Sequence, residues 1–283
     1  MTIYVSSLAF QSSDVHEVVK MAQENSFNVE FSSGLPYRPD MQAIFAETPV
    51  KRIAHNYFPA PEDPFVINLA SSDKAIRQRS VEHCLQGLEL TKAANAGFFA
   101  AHAGFCIDPD PNELGKPISY GAIGDREKYW HYFAESLHTI LAAAKKSGLD
   151  FYIENNVLAG FNYIDGVNPL LCCTSEEILR IAEDFKNETH FGLLLDTAHL
   201  KVSCGTLGLD MHAETGRIKN FIRAIHHSDN DGLSDTNERI DADYWFLPYV
   251  KEFRSLPHVL EVKRQSIESI TIQLNLLEKY GNS

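Results

Sequence analysis

Eight short runs of aliphatic, aromatic and β-branched residues, each too short to be a helix of its own, recur along this chain. They are Ile3–Ser6, Phe27–Phe31, Arg52–Tyr57, Gly97–His102, Asp150–Glu154, Phe191–Asp196, Ala224–Ser228 and His258–Val262. Runs of this length and composition fit strands buried on both faces. The segments between them place apolar residues at helical spacing, as in Asp14–Asn25 with Val15, Val18, Val19 and Met21. Arg79–Ala94, Arg126–Ser147, Ser175–Phe185, Glu214–Phe221 and Ser266–Tyr280 read the same way. Thr174, with Glu177 three residues on, predicts a capping box, and Gly148 after Lys145 and Lys146 predicts a helix end. Strand and helix alternate eight times with no linker rich in Gly, Pro or Ser. That pattern predicts an α/β fold, a (β/α)₈ TIM barrel forming a single domain over residues 1–283. An open dinucleotide-binding sheet is the rival, but no GxGxxG follows the first run.

A chain of 283 residues buries enough surface to fold without a disulfide or structural metal, so any metal is expected to serve chemistry. The formal net charge of −13 disfavours binding to nucleic acid or an anionic membrane surface. The N-terminal run lacks a basic leader, and no apolar run reaches the roughly 18 residues that a membrane span needs. Five cysteines without CxxC or zinc-finger spacing read as reduced thiols, which suits a cytoplasmic protein.

The chemistry is read from what stands at the ends of the runs. His55, His102, Glu154, Asp196, His226 and Glu261 close six consecutive runs, the third to the eighth. In a barrel these ends converge on one mouth, where active sites sit. Imidazole mixed with carboxylate suits Mn²⁺, Zn²⁺, Co²⁺ or Fe²⁺ and suits Mg²⁺ less well. His227 alternates away from His226 and is expected outside the barrel. Lys263 lies two residues beyond Glu261, so strand periodicity turns it to the same side, where it could hold a phosphate. Glu30 ends the second run, with a buried structural role expected. Asn68, Asn155 and Asn156 are candidates for holding ligands or substrate hydroxyls.

The runs NLAS (Asn68–Ser71), HAGF (His102–Phe105), IENN (Ile153–Asn156), LLLDTAHL (Leu193–Leu200), IHHSDNDG (Ile225–Gly232) and LEVK (Leu260–Lys263) resemble the xylose-isomerase-like barrel superfamily. That group holds sugar phosphate isomerases and epimerases, among them ketose 3-epimerases and hydroxypyruvate isomerase, with inosose dehydratase and endonuclease IV. The resemblance implies that Glu154, Asp196, His226 and Glu261 hold one divalent metal ion. It also implies that Glu154 and Glu261 trade a proton beside a metal-polarised carbonyl, and that His199 contacts substrate. A sugar or sugar phosphate is the implied substrate, with His55, His102, Asn68, Lys263, Asp235 and Asn237 shaping its pocket. A homodimer is an open option.

Resemblance to endonuclease IV would add a second metal near His55 and His102. A third zinc would need a histidine where this chain has Asn237, after Asp235, and Asn is a poor zinc ligand. Isomerisation or epimerisation therefore leads. Dehydration of a keto-sugar or inosose, zinc phosphodiesterase activity and sugar binding without turnover are the alternatives.

Overall fold

The computed structural model describes residues 1–282. Its strands are β1 (Thr2–Ser6), β2 (Asn28–Phe31), β3 (Arg52–His55), β4 (Phe98–His102), β5 (Asp150–Glu154), β6 (Phe191–Asp196), β7 (Ile222–His227) and β8 (Pro257–Leu260). They pair in parallel in sequence order, and β8 closes onto β1 with Ile3 opposite His258 and Val5 opposite Leu260. The expected (β/α)₈ barrel is the observed fold.

The helices are α1 (Val15–Glu24), α2 (Met41–Glu47), α3 (Lys74–Ala93), α4 (Arg126–Ser147), α5 (Ser175–Asp184), α6 (Thr197–Leu207), α7 (Met211–Ile218), α8 (Leu247–Val250) and α9 (Ile267–Asn282). Aspartate caps set several starts. Asp73 accepts from the N–H groups of Ala75 and Ile76, so α3 begins ahead of the expected Arg79. Thr174 accepts from Glu177 N–H as expected, but the Glu177 carboxylate reaches Cys173 N–H and Arg126 instead of closing the capping box. Gly148, at φ 66°, ends α4.

Helix α6 was not anticipated, for a physical reason. It starts directly from β6 at Asp196 with no intervening loop, and Thr197–Leu200 and Val202–Cys204 are all buried. A helix buried on nearly every face carries no amphipathic stripe to read.

Strand alternation builds the barrel interior beneath the site. Ile53, Ala100, Tyr152, Leu194, Ala224 and Val259 pack together inside it. Each lies two residues before His55, His102, Glu154, Asp196, His226 or Glu261 respectively, so period two raises those six polar residues on the same inward face. The opposite faces pack under the helices in the main core. His227 lies there as expected, buried outside the barrel wall. Its Nε2 contacts His258 Nδ1 at 2.8 Å, its Nδ1 contacts the Tyr244 hydroxyl at 3.1 Å, and His258 Nε2–H donates to Phe253 O at 3.1 Å.

Burial pushes His258 down to about 4, against an unfolded value near 6.5. The unfolded chain therefore takes up the proton first as pH falls. Stability present above about pH 6.5 is lost progressively toward pH 4, by about 2 kcal/mol at pH 5 for this one group. Chemical denaturation should show His258→Gln less stable than wild type at pH 7, yet losing less between pH 7 and 5.

Candidate metal centre

Strand ends and one helix start build the site. Across neighbouring strands His102 is paired with Glu154 and Asp196 with His226, so their side chains rise together. Glu261 follows β8 directly. Asp196 has two duties: Oδ1 accepts from His199 N–H at 2.8 Å and caps α6, while Oδ2 is buried without a hydrogen-bond partner. Asn155 fixes this corner through a reciprocal pair, accepting from Asp196 N–H at 2.8 Å and donating to Asp196 O at 3.0 Å. Because α6 starts at Asp196, His199 lies in its first turn and folds back toward the barrel mouth. Its Nδ1 contacts Asn155 O at 2.9 Å and its Nε2 contacts Asp235 Oδ2 at 3.2 Å.

His226 is the hub. Its Nδ1 lies 2.8 Å from Glu261 Oε2, 3.5 Å from Glu154 Oε1 and 3.8 Å from Asp196 Oδ2. Its Nε2 lies 2.9 Å from Glu30 Oε2. Burial opposes protonation of this ring, but Glu30 and Glu261 hold its pKa well above the usual histidine value. Each ring nitrogen of His226 thus meets a carboxylate, Nε2 that of Glu30 and Nδ1 that of Glu261, and Nδ1 faces the space shared by Glu154, Asp196 and Glu261.

The other charges follow from burial and neighbours. Burial raises Asp196 to about 7, with the carboxylates of Glu154, Asp235 and Glu261 working in the same direction against His199's opposing pull. Burial would raise Glu154 as well, but His102 and His55 prevail and hold it well below the carboxylate range. His55 Nε2 lies 2.8 Å from Glu154 Oε2, and His102 Nδ1 lies 3.3 Å from the same oxygen. Burial lowers His102 to about 4.

Ligand atoms of Glu154, Asp196, His226 and Glu261 all lie within 4.8 Å of one another, every residue buried. Oε1 of Glu154 and Oδ2 of Asp196 have no hydrogen-bond partner, a costly arrangement for buried carboxylate oxygens. A divalent cation would satisfy both and hold Asp196 ionised. Oxygen-rich donors with one imidazole suit such an ion, so the residues fit it. A second group, His102, Glu154 and His199, meets the same distance limit.

Several sequence expectations are placed elsewhere. Strand periodicity did not carry Lys263 to the mouth, because β8 ends at Leu260. The chain then turns, Arg264 adopts φ 48°, and the exposed Lys263 pairs its N–H with Asn237 O at 2.8 Å. Asn237 donates to Glu261 O at 3.3 Å and is a tie for the loop. Asn68 uses its amide on Ile107 O and Asp108 and its carbonyl on the N–H groups of Ala70 and Phe105. Asn156 donates to three carbonyls, those of Ala103, Gly104 and Leu171. Glu30 is buried as expected, and its Oε2 meets the hub histidine at 2.9 Å. Its place at the end of the second run was the only signal.

The loop after β4 (residues 103–125) and the loop after β5 (residues 155–174) form one wall beside the cage. Phe105 bridges Leu170, Ile118 N–H donates to Asn162 Oδ1, and Tyr120 donates to Asn162 O. All five cysteines are free and buried. No helix among the described residues is long and apolar enough to cross a membrane.

Residues 14–257 match the family model described as the xylose isomerase-like TIM barrel, and the chain belongs to that family. No curated protein matches the sequence. Among solved structures, a D-tagatose 3-epimerase-like protein superposes with a TM-score of 0.72 at 17% identity, covering 99% of this chain and 97% of its own. The TTHB071 protein from Thermus thermophilus, soaked with ZnCl2, gives 0.67 at 17% identity and 99% coverage of both chains. The 3-keto-D-glucoside 4-epimerase YcjR from E. coli gives 0.65 at 12% identity over the full length of both. Identities this low show a shared fold.

A carboxylate that accepts the far N–H of a ligand histidine typically governs metal affinity by about ten- to a hundredfold. Titration calorimetry with Mn²⁺ should show a loss of that size for Glu30→Gln. Asn68→Ala should leave the affinity in place and lower stability by about 1–3 kcal/mol.

Proposed function

We propose that this protein is a divalent-metal-dependent isomerase or epimerase of a sugar or sugar-like hydroxy-carbonyl compound. The observation that carries the reading is the placement of Glu154, from β5, and Glu261, just past β8, together at His226 Nδ1 with ligand atoms within 4.8 Å. Epimerase names among the structural neighbours agree with it.

In this reading Glu154, Asp196, His226 Nδ1 and Glu261 hold the ion, and His226 Nε2–H stays on Glu30. The bound ion would polarise a carbonyl and acidify the adjoining C–H. The residues do the rest. One of the two glutamates removes the proton from carbon, and the other returns one, on the opposite face for epimerisation or at the neighbouring carbon for isomerisation. Glu154 Oε2 is held by His55 and His102, which fixes the orientation of that carboxylate at the mouth. His199 with Asp235, and the partly exposed His102, line the open side of the cage, where substrate hydroxyls would bind.

A second reading rests on one observation: Glu154 Oε2 meets both His55 and His102. A carboxylate in that position could bridge to a second cation, and a two-metal site suits phosphodiester hydrolysis.

Incubation of Mn²⁺-loaded protein with a panel of ketoses and keto-sugars in deuterated water separates the readings. The expected result is solvent deuterium on carbon in at least one sugar. Glu154→Gln and Glu261→Gln should each slow exchange by about 10²–10⁴-fold. No label in any sugar, together with two metals per chain and cleavage of an abasic duplex, would favour the hydrolytic reading.

A further inference from the structure

Beyond the wall of His102, His199 and Asp235 lies a cavity of about 180 Å³. Its remaining lining is mainly apolar: Phe105, Leu114, Ile118, Val157, Phe161 and Leu170. The other polar groups on it are already engaged. Asn162 uses its carbonyl on Ile118 N–H and its amide on Lys116 O. Asn156 gives its amide to three backbone carbonyls, and the Tyr57 hydroxyl accepts from Ile67 N–H.

Among the described residues, no lysine or arginine lines this cavity. Lys116, beside the lining residue Gly115, turns its ammonium to Asn112 O at 3.1 Å. Arg126, behind the wall, is committed to Asn168 O, Leu170 O and Glu177. Lys263 is on the surface by Asn237 and Arg239, in a separate depression. A phosphate ester entering here would lose its hydration with no lysine or arginine to receive it, beside Asp235, whose Oδ1 already lacks a partner.

We infer that the substrate is not a sugar phosphate but an uncharged hydroxy-carbonyl compound, sugar or sugar-like, bearing an apolar group about the size of one aromatic ring. This deepens the isomerase reading above and rests on it for the metal-binding end. Volume and lining support the size: an apolar cavity of about 150 Å³ takes up benzene. Leu114 and Phe161, each partly exposed, form an apolar rim through which such a group would enter.

The test measures binding of three probes to Mn²⁺-loaded protein by calorimetry: 2-hydroxyacetophenone, dihydroxyacetone and dihydroxyacetone phosphate. The phenyl ketone should bind at least about tenfold tighter than dihydroxyacetone, as burying a ring predicts. Ala159→Trp, which fills the cavity from its wall, should erase that ratio. A phosphate ester binding tighter than the phenyl ketone, or a ratio near one in wild type, would overturn the inference. Benzyl alcohol, lacking the hydroxy-carbonyl pair, separates this from failure of the isomerase reading. Its binding to metal-free protein, seen by ligand-observed NMR and lost in Ala159→Trp, upholds the cavity assignment even if no hydroxy-ketone binds. Absence of both benzyl alcohol and phenyl-ketone binding refutes it.

Discussion

Four carboxylates, from Glu30, Glu154, Asp196 and Glu261, converge on the His226 ring in a space nearly closed to water. Buried charge of one sign is costly unless it is paired or coordinates a metal. The protein meets part of that cost with imidazoles: His226 joins Glu30 to Glu261, His55 meets Glu154, and His199 joins Asp235. Three carboxylate oxygens, Glu30 Oε1, Glu154 Oε1 and Asp196 Oδ2, nonetheless have no hydrogen-bond partner, and Asp196 is driven toward protonation. The rest of the mouth is organised around this excess of negative charge, which a divalent cation would relieve.

The scaffold beneath makes the convergence possible. Each polar strand end stands two residues beyond an inward apolar side chain, so the packing that fills the barrel also aims these polar groups at the mouth. Asp196 joins local to functional structure, capping α6 with one oxygen and facing the cage with the other. The β4 and β5 loops lock to each other with no help from the cage and leave an apolar hollow next to it. The polar cage and the apolar wall thus divide the work expected of the site, one end for the chemistry and the other for selecting what arrives.

Much of this was legible in the sequence, because strand alternation and strand ends are local properties. The eight runs became the eight strands of the barrel, and His55, His102, Glu154, Asp196, His226 and Glu261 all reach the mouth. What was not legible depends on where the chain goes after a strand ends. Lys263 obeys period two on paper, but β8 stops at Leu260 and the turn at Arg264 carries it to the surface. The Asn68 and Asn237 amides are taken by loop groups, which composition cannot reveal. Glu30 was expected to be structural because nothing local distinguishes a buried carboxylate from one that touches a histidine 196 positions away. Helix α6 was missed because its first two turns are buried on nearly every face.

Binding of a divalent cation in the cage is visible directly in a crystal structure of Mn²⁺-soaked protein with anomalous scattering. An anomalous peak is expected among Glu154, Asp196, Glu261 and His226 Nδ1, with His226 Nε2 still on Glu30. Full soaking with no peak there, and His226 still bridging Glu30 and Glu261, would contradict it.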